Sequence, residues 1–98
     1  MPIRHIVLFR IHDGVAPDLI SEAVDGLDSL RDIPGIVEWV IRRSTDERKG
    51  VVIVENALFE SSEALASFAA HPNHRISAER LRNIADWWIG DYEEFDDS

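Results

Sequence analysis

Residues 3–11 read IRHIVLFRI. Ile3, His5, Val7, Phe9 and Ile11 alternate with Arg4, Ile6, Leu8 and Arg10, the period of two that marks a β-strand. Its middle, Ile6 to Phe9, is apolar on both faces. A strand with one solvated face alternates apolar and polar residues, whereas a strand apolar on both faces needs cover on both sides.

Outward from this stretch the pattern changes by segment. HDGVAP (12–17) is a loop with Asp-Gly turn chemistry. From Pro17, the residues Leu19, Ile20, Ala23, Val24, Leu27 and Leu30 recur at helical spacing, and DIPGI (32–36) ends the helix because Pro34 forces Ile33 out of the helical region. IVEWVIRRS (36–44) is a second strand, TDERKG (45–50) a polar turn, and VVIVENALF (51–59) a third strand, again apolar on both faces near Val51–Val54. ESSEALASFAA (60–70) is a helix capped by Ser61 or Ser62. Pro72 interrupts it, and a second helical stretch over about 73–85 offers Ala78, Leu81, Ile84 and Ala85. WWIGDYEEF (87–95) is the last strand, running into an acidic tail at about 91–98.

The order β-α-β-β-α-(α)-β predicts a single α+β domain over residues 1–98 with a ferredoxin-like fold: four antiparallel strands with the helices packed on one face. The chain then has no helix left for the other face of the two-faced strands. A second copy is the simplest cover, so sheet-on-sheet homodimerisation through the open face is expected.

Composition removes several function classes. The 98 residues carry no cysteine, which excludes disulfides and Cys-zinc sites. Net charge is −9, and five of the acids lie in DYEEFDDS (91–98). An acidic surface without a basic stripe argues against nucleic acid and against anionic membranes. No apolar run approaches the roughly 18 residues of a membrane span. The N-terminus shows no signal-peptide pattern, so the cytoplasm is the expected location. The five glycines form no phosphate loop and no serine sits in a GxSxG elbow, so neither a cofactor nor a hydrolase triad is expected.

The remaining chemistry lies in FAAHPNHRIS (68–77), where His71 and His74 bracket Pro72 and Asn73. As metal ligands they are poorly spaced, because Pro72 breaks the helix between them and no third ligand is marked. His5 or His12 could complete a set only through the fold. As acid–base groups they fit better: imidazole titrates near neutral pH. His5 shares a strand face with Val7 and Phe9, and the second helical stretch would bring His71 or His74 toward that layer. Two histidines converging on an apolar pocket would make a base and its orienting partner. Equally, each could be a hydrogen-bonded structural residue or a helix cap, and spacing leaves both open. Trp39, Trp87 and Trp88 suit a core, an interface or a pocket wall. Glu38, Glu55 and Asp91 read as rim or edge charges.

Taken in order, IRHIVLFR, IPGI, LFESSEALASFAAHPNH and GDYE resemble the stress-responsive A/B barrel (Dabb) family from about Ile3 to Glu93. The resemblance implies a ferredoxin-like protomer that pairs its sheet with a second copy into an α/β barrel. It implies a small apolar pocket between sheet and helices, lined by Val7, Phe9, Ile53, Phe68 and Trp87, able to take a small hydrophobic ligand. Some plant members look like polyketide cyclases, and related dimeric barrels include cofactor-independent monooxygenases. On that pattern His74 matches the candidate general base, His71 the first histidine of the HPxH element, and His5 the strand-one histidine. Phe68 stands where the cyclase pattern has a tyrosine, and Ile53 where it has another histidine. A pocket so altered keeps a base but loses its oxyanion partner, an electrostatic contribution worth about a few kcal/mol.

Overall fold

The computed structural model describes residues 1–95; the last three residues of the acidic tail, 96–98, lie outside the described residues. The chain order is β1 (Ile3–Ile11), α1 (Pro17–Asp28), a 3-10 turn (Ser29–Asp32), β2 (Ile36–Arg43), β3 (Val52–Phe59), α2 (Ser62–Ala70), α3 (Pro72–Arg82) and β4 (Ala85–Glu93). The strands form one antiparallel sheet in the order β2-β3-β1-β4. This is the predicted ferredoxin-like arrangement.

Local chemistry explains the boundaries. Pro17 opens α1, where its missing N–H costs nothing. Ile33 is extended (φ −63°, ψ 131°), as a residue before proline must be. Of the two candidate caps of α2, Ser61 does the work: its hydroxyl accepts from the Ala64 N–H at 3.1 Å. His71 ends α2 and caps α3, its Nδ1 accepting from the Asn73 N–H at 3.1 Å, with Pro72 as the first residue of α3. The predicted extension of this helix to Ala85 is corrected. The helix stops at Arg82, Ile84 lies in the turn, and Ala85 begins β4 opposite Ile11. Apolar residues at a helix–strand junction satisfy either period, which is why the boundary was misplaced.

Register assigns the faces. On β1, His5, Val7, Phe9 and Ile11 are buried against the helices. Their neighbours in the same layer are Ile53, Glu55, Ala57 and Phe59 of β3, and Trp87, Ile89 and Asp91 of β4. The core is closed from above by Ala23 and Leu27 of α1, Leu30, Phe68 of α2 and Leu81 of α3. The opposite face carries Ile6, Leu8, Val54 and Leu58 among Arg4, Arg10 and Asn56, and no element among the described residues covers it. Trp88 is 62% exposed, Tyr92 53%, Leu8 43% and Val40 41%. A protein of this size rarely leaves so much aromatic and aliphatic surface wet without a use for it. At one end of this face Arg4 binds both oxygens of Glu94 (2.8 and 2.7 Å) and reaches Glu38 at 3.0 Å.

Gly35, in the IPGI turn, has φ +95°, and a Cβ there would sit 2.7 Å from the Ala64 Cβ. The turn before β2 can therefore lie against α2 only with glycine. Gly35→Ala should lower stability by about 2–3 kcal/mol through strain and forced separation. Urea unfolding checks this, and an unchanged midpoint would contradict the close approach.

Candidate functional site

A cavity of about 140 Å³ lies between the helices and the sheet, on the helix side of β1. The two-residue period of β1 aims His5, Val7 and Phe9 into it, and β4 adds Trp87 and Ile89 from beside them. Its roof is Leu65, Phe68 and Ala69 of α2 and His74, Ser77 and Leu81 of α3. The elbow at His71–Pro72 tilts α3 so that His74 returns over Phe68, with ring centroids 4.6 Å apart.

His74 is half-buried and lines this space. Its Nδ1 lies 3.1 Å from the Ala69 carbonyl oxygen. A carbonyl only accepts, so Nδ1 carries the proton and Nε2 holds the lone pair. Burial pushes the imidazole pKa down, against the pull of the Ala69 carbonyl and of Glu55. His74 is thus a neutral imidazole of fixed tautomer, with the form required of a general base at neutral pH.

His5 is the opposite case. It is 7% exposed and sits between two carboxylates, with Nε2 3.1 Å from Glu55 Oε2 and Nδ1 2.6 Å from Asp91 Oδ1. Burial pulls its pKa down, but the hydrogen bonds and charges of Glu55 and Asp91 outweigh it and raise the pKa above the ordinary value. A carboxylate oxygen only accepts, and one lies at each ring nitrogen, so the contacts fit an imidazolium with both N–H groups committed. In that form neither ring nitrogen holds a lone pair, and both contacts are to carboxylates, not to His74.

One charge read as a rim group is thereby corrected: Glu55 is 3% exposed and lines the cavity. Asp91 is exposed on the outer strand β4, as read, and from there binds Nδ1 of His5. On β3 Glu55 is in phase with Ile53, Ala57 and Phe59, the face that pairing with β1 turns toward the helices. Of the expected wall residues, Val7, Phe9, Phe68 and Trp87 line the cavity. Ile53 does not. It pairs with Phe9, is 1% exposed, and fills the core one step beyond Glu55. His71 is also outside, engaged as the helix cap, and His12 is exposed beside Asp86. Leu65, Ala69 and Ser77 of the helices and Ile89 of β4 were not anticipated, because residues far apart in sequence meet only in the fold. No group of three or more metal-ligating side chains with suitable geometry occurs among the described residues. The carboxylates bind opposite edges of the His5 ring and do not converge on one point.

The stress-responsive A/B barrel domain family model matches residues 3–94. The chain is 30% identical over 96 residues to an uncharacterized protein of Streptomyces coelicolor, covering 93% of this chain and 98% of that one. A dimeric ferredoxin-like protein of unknown function from Thermobifida fusca superposes with a TM-score of 0.84 at 23% identity, covering 94% and 90% of the two chains. SnoaB, a cofactor-independent oxygenase from Streptomyces nogalater, superposes with a TM-score of 0.79 at 20% identity over 97% and 94%. The chain belongs to the stress-responsive A/B barrel family.

The two histidines should titrate on opposite sides of 6.5. In ¹⁵N-detected NMR, His5 should stay protonated above that value and His74 lose its proton below it. Because the His5 pKa is raised on folding, its contribution to stability is complete below 6.5 and lost as pH rises through the folded value. For His74 the sign reverses: its contribution holds above 6.5 and is lost as pH falls through the lowered value. Identical titrations near 6.5 would sink both assignments.

Proposed function

We propose that this member of the family is a cytoplasmic homodimer whose protomers each hold a small, mostly apolar ligand in the cavity beneath α2 and α3, with His74 as the group that takes the ligand's proton. The observation that carries the reading is the His74 tautomer, a neutral ring with Nδ1 tied to Ala69 and Nε2 free, at the wall of an apolar cavity. A cavity of about 150 Å³ holds a benzene-sized molecule in other proteins. The 140 Å³ here suits a single ring and is small for an extended polyketide chain.

The second reading is catalysis without a cofactor, of the cyclase or monooxygenase kind. The oxygenase likeness makes such chemistry compatible with the fold. The required first step would be removal of an acidic O–H or C–H proton by Nε2 of His74. Phe68 beside it offers no hydrogen bond to the resulting oxyanion, which favours ligands whose anion is stabilised by their own ring, such as phenols, over β-keto chains.

The homodimer rests on the uncovered sheet face, with Trp88, Tyr92, Leu8 and Val40 exposed, and on the dimeric Thermobifida fusca neighbour. Sedimentation should give twice the 11.1 kDa chain mass at micromolar concentration. Trp88→Glu should shift the protein to monomer while keeping its circular dichroism. A monomeric wild type would contradict the sheet pairing.

Ligand binding is tested by thermal shift with phenolic and β-keto compounds. His74→Ala should abolish the response of wild type. His71→Ala should keep the response while costing about 1 kcal/mol of stability through the lost cap. A wild type that responds to none of them leaves the pocket reading without support.

A further inference from the structure

The polar atoms around the cavity are nearly all of one kind. His74 presents a lone pair at Nε2, since Nδ1 is bound to the Ala69 carbonyl. Glu55, an acceptor when ionised, engages His5 through Oε2, and its side chain lines the cavity. Both N–H groups of His5 are taken by Glu55 and Asp91, so the buried cation has no donor left for a ligand. The Ser77 hydroxyl is directed at the Gly26 carbonyl, 3.4 Å away. The remaining side-chain donor is the Trp87 indole N–H, a neutral group beside Phe9. No lysine or arginine lines the space among the described residues. One imidazolium between two carboxylates leaves the cluster with a charge of −1.

From this geometry, and resting on the pocket reading above, we infer the ligand class: single-ring molecules, neutral or cationic, that donate hydrogen bonds, such as benzenediols and aromatic amines. A ligand O–H or N–H meets Nε2 of His74, and a second donor on the same ring meets the Glu55 carboxylate. A ligand carboxylate would lose its water in an apolar space and meet a like charge with no free cation. A ring bearing only acceptors would leave both protein acceptors unpaired, a loss that costs more than a hydrogen bond gains. The selection is thus made by what the cavity lacks as much as by what it holds.

Four compounds of similar size separate the possibilities: catechol, phenol, anisole and benzoate, titrated in neutral buffer while following the Ala69 and Ile89 amides by NMR. Catechol, with two hydrogens to donate, should bind at least about tenfold tighter than anisole, which has none, with phenol, which has one, between them. Benzoate should leave the cavity amides unmoved. Glu55→Gln removes the charge and supplies a donor, and should admit benzoate to within about tenfold of phenol. The order on wild type decides the matter even if this variant folds poorly. Anisole or benzoate binding wild type as tightly as catechol overturns the donor rule and leaves the pocket intact. If none of the four shifts the cavity amides, the pocket reading falls and the ligand class falls with it.

Discussion

A charge buried away from water must be matched, and the imidazolium of His5 is matched on both sides. Glu55 reaches it from β3 and Asp91 from β4, so one ring crosslinks the three strands nearest the cavity. Such clusters are weak evidence for net stability, because desolvation offsets much of the attraction, but removing one member strands the others at a high cost. What the cluster secures is register. A slip of one residue in β1 would turn His5 to the open face and leave Glu55 buried with no cation. The same ring fixes the sign of the pocket. Without its proton, two carboxylates would face a neutral ring, so the cluster holds its proton while His74, across the cavity, sheds its own.

The aromatic packing is built around Phe68. Its ring lies 5.0 Å from Phe59, 5.5 Å from Trp39 and 4.6 Å from His74, centroid to centroid. It joins the core proper to the roof of the cavity, and at 1% exposure it has no freedom to move aside. The stack places His74 and also contributes to its dehydration, which is the cause of its lowered pKa. One apolar residue therefore acts on the cavity twice, by setting where the base stands and by keeping it neutral.

Much of the architecture could be read from IRHIVLFRI and VVIVENALF, because strands apolar on both faces admit few arrangements in so short a chain. The HPNH element announced its break through Pro72, and His74 followed from the resemblance. The error at Glu55 had a physical origin. With Val52, Ile53 and Val54 all apolar, β3 does not declare which of its faces is inward, and a charge in such a strand is assigned to solvent by default. Only pairing with β1 puts Glu55 beside Val7 and diagonal to His5. Ile53 was drawn to the pocket by the same ambiguity, since it shares the inward face but lies past the cavity's edge. The roles of His71 and His74 could not be divided by spacing, because a single proline angle decides which ring caps and which faces inward.

His71 belongs to two helices at once, closing α2 and opening α3 with no residue between them. Roof elements joined by a long loop can drift apart as the loop grows, giving a family wide latitude in pocket size. Here there is no loop to lengthen, and the span between α2 and α3 is set by one backbone corner. Diversification toward larger ligands would have to proceed by trimming side chains such as Leu65 or Ile89, in steps of a few carbon atoms. The corner makes cavity size a discrete variable, adjusted residue by residue.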